Sequence, residues 1–132
     1  MTMNTATNRR HSLKNSLKCA AAGIRALVLR ERNARIHCAA ACLAVAAGLW
    51  LGLSACEWAA IALAIGAVIS AEAFNTALEA LCDRLIPGRD DAVKTVKDVA
   101  AGAALGAACA AVAVGLAVFL PKIIRFINNM PT

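Results

Sequence analysis

The sequence predicts an all-α membrane protein: an N-terminal amphipathic surface helix followed by three transmembrane helices. Two observations carry this. The chain of 132 residues is 61% hydrophobic with a mean hydropathy of +0.66, too apolar for a soluble domain of its size. Apolar runs at 36–53, 57–82 and 98–120 are each close to or above the roughly 20 residues a helix needs to cross a bilayer. They make one membrane domain over 12–121, between a disordered tail at 1–11 and a C-terminal tail at 122–132.

In residues 12–32, Leu13, Leu17, Ala20, Ile24 and Leu27 or Val28 recur every three or four positions. Lys14, Lys18, Arg25, Arg30 and Arg32 fall largely elsewhere, which describes a basic helix lying on the membrane surface. His37 caps the start of the first span, and Trp50 and Trp58 flank the first turn, where interfacial tryptophan is expected. The run LSAC at Leu53 to Cys56 resembles a lipoprotein cleavage box. The long basic arm before it and the two spans after it favour an outer turn instead. The third span opens on Lys97 and Asp98, and Gly102 and Gly106 form a small-xxx-small pair suited to helix packing. Thr95 with Asp98 fits a capping box, though Asp98 at the mouth of an acidic site has an equally good functional reading.

Charge orients the bundle. The net charge is +6, but the basic residues gather at segment ends, so the anionic partner is the membrane surface and not nucleic acid. Eight Lys and Arg lie in the arm through Arg35, none between 36 and 83, four from Arg84 through Lys97, and two beyond the third span. By the positive-inside rule the arm and the 84–97 connection face the cytoplasm. Lys122 and Arg125 at the outer end run against this count without reversing it.

The end of the second span is the most informative stretch. At about 100° per residue, Glu72, Asn75, Glu79 and Asp83 fall within roughly 80° of one another, with Thr76 beside them. An ionised side chain near the bilayer centre costs at least about 2.5–3.5 kcal/mol, so such a face is kept for what it does. A polar seam between helices would ordinarily use Ser, Thr or one Asn. Acids in register point to a cation or proton site. With the cytoplasmic orientation, Glu79 and Asp83 are shallow and Glu72 lies deeper, where a lipid headgroup meets it.

Cys19, Cys38, Cys42, Cys56, Cys82 and Cys109 are scattered without a CxxC pair and read as small apolar residues. The chain has no phosphate-binding GxxxxGK[ST] loop, no HRD or DFG, no HExxH and no GxSxG.

In order, the distinctive segments are ERNARIH at 31–37, AEAFNTALEALCD at 71–83 and VKDVAAGA from Val96. Together they resemble the small bacterial membrane lipid kinases, the prokaryotic diacylglycerol kinase and undecaprenol kinase family. The similarity extends from Ser16 to Pro121, and ERNARIH with the closing FLPK leans toward the undecaprenol kinase branch. The resemblance implies a homotrimer in the bacterial cytoplasmic (inner) membrane that transfers the γ-phosphate of ATP to a lipid hydroxyl, with Mg²⁺. By position, it makes Glu72 the catalytic base on the lipid substrate, Asn75 a substrate-binding neighbour, and Glu31 and Glu79 the Mg²⁺ ligands. Asp83 supports the same face, and Lys97 and Asp98 bind ATP. Cys19 stands where an aromatic is frequent against adenosine. Gly88, Arg89 and Asp90 replace an acidic, aromatic and histidine run that contacts nucleotide.

Three function classes follow. A lipid kinase needs mainly positioning and charge neutralisation, which two carboxylates on Mg²⁺ and one lysine can supply. A small cation-transport subunit could use the same acidic face, but residues 58–69 carry no charged side chain to continue a path outward. A structural scaffold leaves Glu31, Lys97 and Asp98 unexplained.

Overall fold

The computed structural model describes residues 13–128, so the expected tail at 1–11 lies outside the described residues. Four helices follow one another: α1 (Leu13–Arg30), α2 (Arg32–Leu51), α3 (Ala55–Leu85) and α4 (Asp91–Asn128). The last three are long and apolar enough to cross a membrane. α3 and α4 pack against each other most extensively, α2 lies against α3, and α1 leans on α2 and α3.

The surface helix was expected to reach 32 and stops at Arg30. Glu31 adopts an extended backbone (φ −99°, ψ 126°) and begins the next helix. The break is one residue wide, because Glu31 N still bonds Leu27 O at 2.9 Å and Arg35 N bonds Glu31 O at 3.3 Å. On α1 only Leu27 is buried, while Leu13, Leu17 and Ile24 stay exposed. That apolar stripe is left for a bilayer to cover.

The outer turn is built by caps. Gly52 ends α2 in the left-handed region at φ 65°, which favours glycine. Ser54 then opens α3 with a capping box: its N–H donates to Glu57 Oε2 at 2.7 Å, and Glu57 N–H donates to Ser54 Oγ at 3.4 Å. Lys122 Nζ reaches from α4 to Glu57 Oε2 at 3.1 Å and to Gly52 O at 3.1 Å. The cation that ran against the charge count is thereby held by an acid on the same end of the bundle.

Three expectations need correction. Thr95 does not cap the third span; it sits inside α4 and donates to Asp91 O at 2.9 Å. The cap is Asp90, whose Oδ1 accepts from Ala92 N at 2.8 Å and Val93 N at 3.0 Å. Gly102 and Gly106 are exposed, and a Cβ on either would meet nothing within 4 Å. Ala100 and Ala104, about 200° around the helix from them, make the buried face instead. Finally, the helix is longer than the expected span of 98–120. α4 runs through Pro121 to Asn128, anchored by Lys122 and by Phe126, which meets Trp50 edge-to-face at 5.0 Å.

The buried set is small: Leu27, Ala34, Gly48, Ile61, Val68, Ala100 and Ala104, with the polar Glu72 and Asn75. Leu43, Leu63, Phe74, Leu105 and Leu116 point outward. A single copy is thus apolar outside and carries two polar side chains inside, the pattern of a protein dissolved in lipid.

Candidate functional site

α3 positions the acidic face. Its positions 61, 68, 72 and 75 turn inward at helical spacing, which carries the buried stripe from isoleucine and valine directly into Glu72 and Asn75. Glu72 is 3% exposed and Asn75 9%. Glu79 is half-buried and Asp83 exposed, so the four residues form a ladder from the interior to the helix end.

Asn75 Nδ2 donates to Glu79 Oε1 at 3.2 Å, linking the second and third rungs. Asn75 Oδ1 is buried without a hydrogen-bond partner. None of the side-chain hydrogen bonds or ion pairs among the described residues involves Glu72. Buried polar atoms are ordinarily satisfied, and leaving the Asn75 acceptor unpaired is costly. Either side chain can accept the one hydrogen bond that a hydroxyl entering beside it donates.

There is room for one. Glu72 and Asn75 line a cavity of about 170 Å³ with Asn33 and His37 of α2 and Ala101, Ala104, Leu105 and Ala108 of α4. The alanines create the space by withdrawing side chains from one face of α4. His37 was expected to cap the first span; it lies instead in the second turn of α2, half-buried, on the wall of this cavity. Asn33 was not singled out in the sequence. A signal for both exists: they are four residues apart on the face of α2 that continues through Ala40, Ala41 and Ala44.

The remaining residues fall in other places. Lys97 Nζ of α4 donates to Asp83 Oδ1 of α3, and both line a shallow depression of about 450 Å³ with Gly88, Arg89 and Asp90 at the α3–α4 connection. Asp90 is already engaged in capping α4. Asp98 is exposed on α4 and lines neither cavity, and Cys19 is exposed on α1. Glu31 stands at the α1–α2 break with its carboxylate making no cap bond. Two groups are therefore assembled, Glu72–Asn75–Glu79 inside and Asp83–Lys97 with the connection at the mouth, while Glu31 makes no side-chain hydrogen bond or ion pair among the described residues.

Among the described residues no three His, Cys, Asp or Glu side chains could hold a metal by themselves. Glu31 and Glu79 supply hard oxygen donors of the kind Mg²⁺ takes one or two at a time, with phosphate oxygens and water as the other ligands.

Undecaprenol kinase of Bacillus subtilis is 41% identical over 93 residues, 70% of this chain and 76% of that protein. Diacylglycerol kinase of Synechocystis is 37% identical over 110 residues, 83% of this chain and 63% of that protein. No solved structure matches the chain. The model of the prokaryotic diacylglycerol kinase family matches residues 18–119, and the chain belongs to that family.

Proposed function

We propose that this protein is an ATP-dependent membrane lipid kinase that transfers the γ-phosphate of ATP to the hydroxyl of undecaprenol or diacylglycerol. The supporting observation is the ladder on α3: Glu72 is buried beside the unpartnered Asn75 Oδ1, and the same face emerges at Asp83 and Lys97. A lipid alcohol reaches its deep end and a water-soluble phosphate donor its shallow end. The names of the two relatives supply the substrate classes.

In this reading the lipid hydroxyl docks by donating its one proton to Asn75 Oδ1, then turns that proton to the neighbouring Glu72 carboxylate for the transfer. The Glu72 carboxylate takes the hydroxyl proton as the hydroxyl oxygen bonds to the γ-phosphorus and the bond to the ADP oxygen breaks. Glu79, steadied by Asn75, and Glu31 at the helix junction would hold Mg²⁺. When bound, that ion neutralises charge on the phosphate oxygens. Lys97 binds phosphate at the mouth, where Asp83 fixes its ammonium, and Asp98 and the Gly88–Asp90 connection are nearby candidates for nucleotide contact. Cys19 on α1 is a candidate for the adenosine end.

The setting completes the reading. The charge count favours a multi-pass protein of the bacterial inner membrane with the arm and the 84–97 connection in the cytoplasm. Assembly as a homotrimer would cover the outward faces of a bundle whose own core is thin. A cation-transport role finds no support in the family or the relatives. Purified protein given labelled ATP with undecaprenol and diacylglycerol in parallel, with and without chelator, tests the proposal. Labelled lipid that disappears on chelation is expected; no labelled lipid from either alcohol contradicts it.

A further inference from the structure

The cavity that holds Glu72 continues along the bundle. His37 lines it and also lines a second cavity, likewise of about 170 Å³. The order of lining residues is the same on all three spans. On α2, Asn33 and His37 bound the first cavity, and His37, Ala41 and Ala44 the second. On α3, Asn75 and Glu72 give way to Val68, Ile65 and Ile61. On α4, Ala104 and Ala108 give way to Ala111 and Gly115. Spacings of three and four keep each helix on one face, so the two cavities are stacked end to end. At 1.5 Å per residue, the second extends roughly 16 Å beyond Glu72 toward the α2–α3 turn.

The two ends differ in chemistry. Apart from His37, the second cavity is lined by apolar residues only. A volume of about 170 Å³ drawn out along the bundle is narrow, which fits the first carbons of one hydrocarbon chain but not of two side by side. At the polar end waits Asn75 Oδ1, a buried acceptor without a donor. An alcohol supplies the donor.

We infer that the two cavities form one slot for a lipid alcohol carrying a single hydrocarbon chain, its hydroxyl at Asn75 and Glu72 and its first carbons among the alanines of α2 and α4. The inference rests on the kinase reading and narrows it: a polyprenol fits the slot, whereas a diacylglycerol leaves one of its two chains outside. His37, the one residue on both walls, marks where headgroup gives way to chain.

Two variants fill the apolar part from opposite sides, Gly115→Leu and Ala44→Leu; a Cβ at Gly115 meets nothing within 4 Å, so the backbone tolerates the change. Ala113→Leu adds the same bulk on the exposed face of α4 and serves as the matched control. With the purified full-length protein, both fillers are expected to lower kcat/KM for undecaprenol by at least about tenfold with KM for ATP unchanged, and the control to match wild type. The wild type is expected to prefer undecaprenol to dioleoylglycerol. Fillers that retain undecaprenol turnover, a control that loses it equally, or a wild type that prefers dioleoylglycerol would overturn the slot while leaving the kinase intact. A wild type inactive on every lipid alcohol would remove the kinase reading itself.

A direct measurement does not depend on the variants folding. A long-chain primary alcohol bearing a diazirine near its hydroxyl, irradiated with the wild-type protein, is expected to label the 41–44 and 111–115 segments, with undecaprenol competing. Labels confined to outward residues such as Leu116 contradict the slot. So does a change of oligomeric state in the fillers with substrate use unaltered, which would make a second copy of the chain the occupant.

Discussion

Asn75 donates its amide to Glu79 across one turn of α3, at 3.2 Å, and leaves its carbonyl oxygen buried with no donor. One side chain thereby connects the half-buried Glu79, proposed to hold metal, with the buried Glu72, proposed to take the hydroxyl proton. Its orientation is fixed by the Glu79 carboxylate, because only the amide nitrogen can donate to it.

The Glu79→Gln variant separates charge from hydrogen bonding. The glutamine carbonyl still accepts from Asn75, so the ladder keeps its geometry while the charge proposed to bind metal is lost. The variant is expected to need several-fold more Mg²⁺ for half-maximal activity, read by titrating the metal at fixed ATP. An unchanged Mg²⁺ dependence would argue against Glu79 as a ligand.

Lys97→Met addresses the mouth. The Asp83 side chain of its ion pair is 69% exposed, and exposed pairs contribute little to stability. KM for ATP should therefore rise with kcat for the lipid less affected and the thermal midpoint in detergent close to wild type. A loss of thermal stability with KM for ATP unchanged would make the pair structural.

Gly48→Ala concerns the fold alone. Gly48 is buried under Trp58, and a Cβ there would stand 2.9 Å from Trp58 Cη2. Overpacking of this kind costs about 1–3 kcal/mol. The variant should melt at lower temperature in detergent while the remaining folded protein keeps its KM for ATP. Wild-type stability would mean that the Trp58 ring moves aside freely.

The elements and the acidic face were legible because they rest on local periodicity. Runs of apolar residues fixed the three spans, and the 3.6-residue repeat alone gathered Glu72, Asn75, Glu79 and Asp83. What escaped depends on contacts between helices or on competition among caps. Thr95 and Asp98 match a capping pattern, yet Asp90 starts α4 earlier because its carboxylate reaches two backbone N–H groups. Gly102 and Gly106 have the spacing of a packing pair, but α4 turns Ala100 and Ala104 toward its neighbours. Asn33 was overlooked, and His37 read as a cap, for the same reason. Only the docking of α2 beside α3 brings them to the cavity of Glu72.

The placement of Pro121 adds a lesson about breakers. Proline removes a helix hydrogen bond and crowds the preceding turn. Here the following turn is tied down by Lys122 to Glu57 and by Phe126 to Trp50, and membrane helices carry proline more readily than soluble ones.

The central claim is that Glu72 takes the proton of the lipid hydroxyl. Its most direct test is the rate of phosphate transfer from labelled ATP to lipid by the purified Glu72→Gln variant, with assembly followed by size exclusion. The account predicts a loss of at least about 10²-fold in a protein that elutes as wild type does. Transfer at the wild-type rate would contradict it.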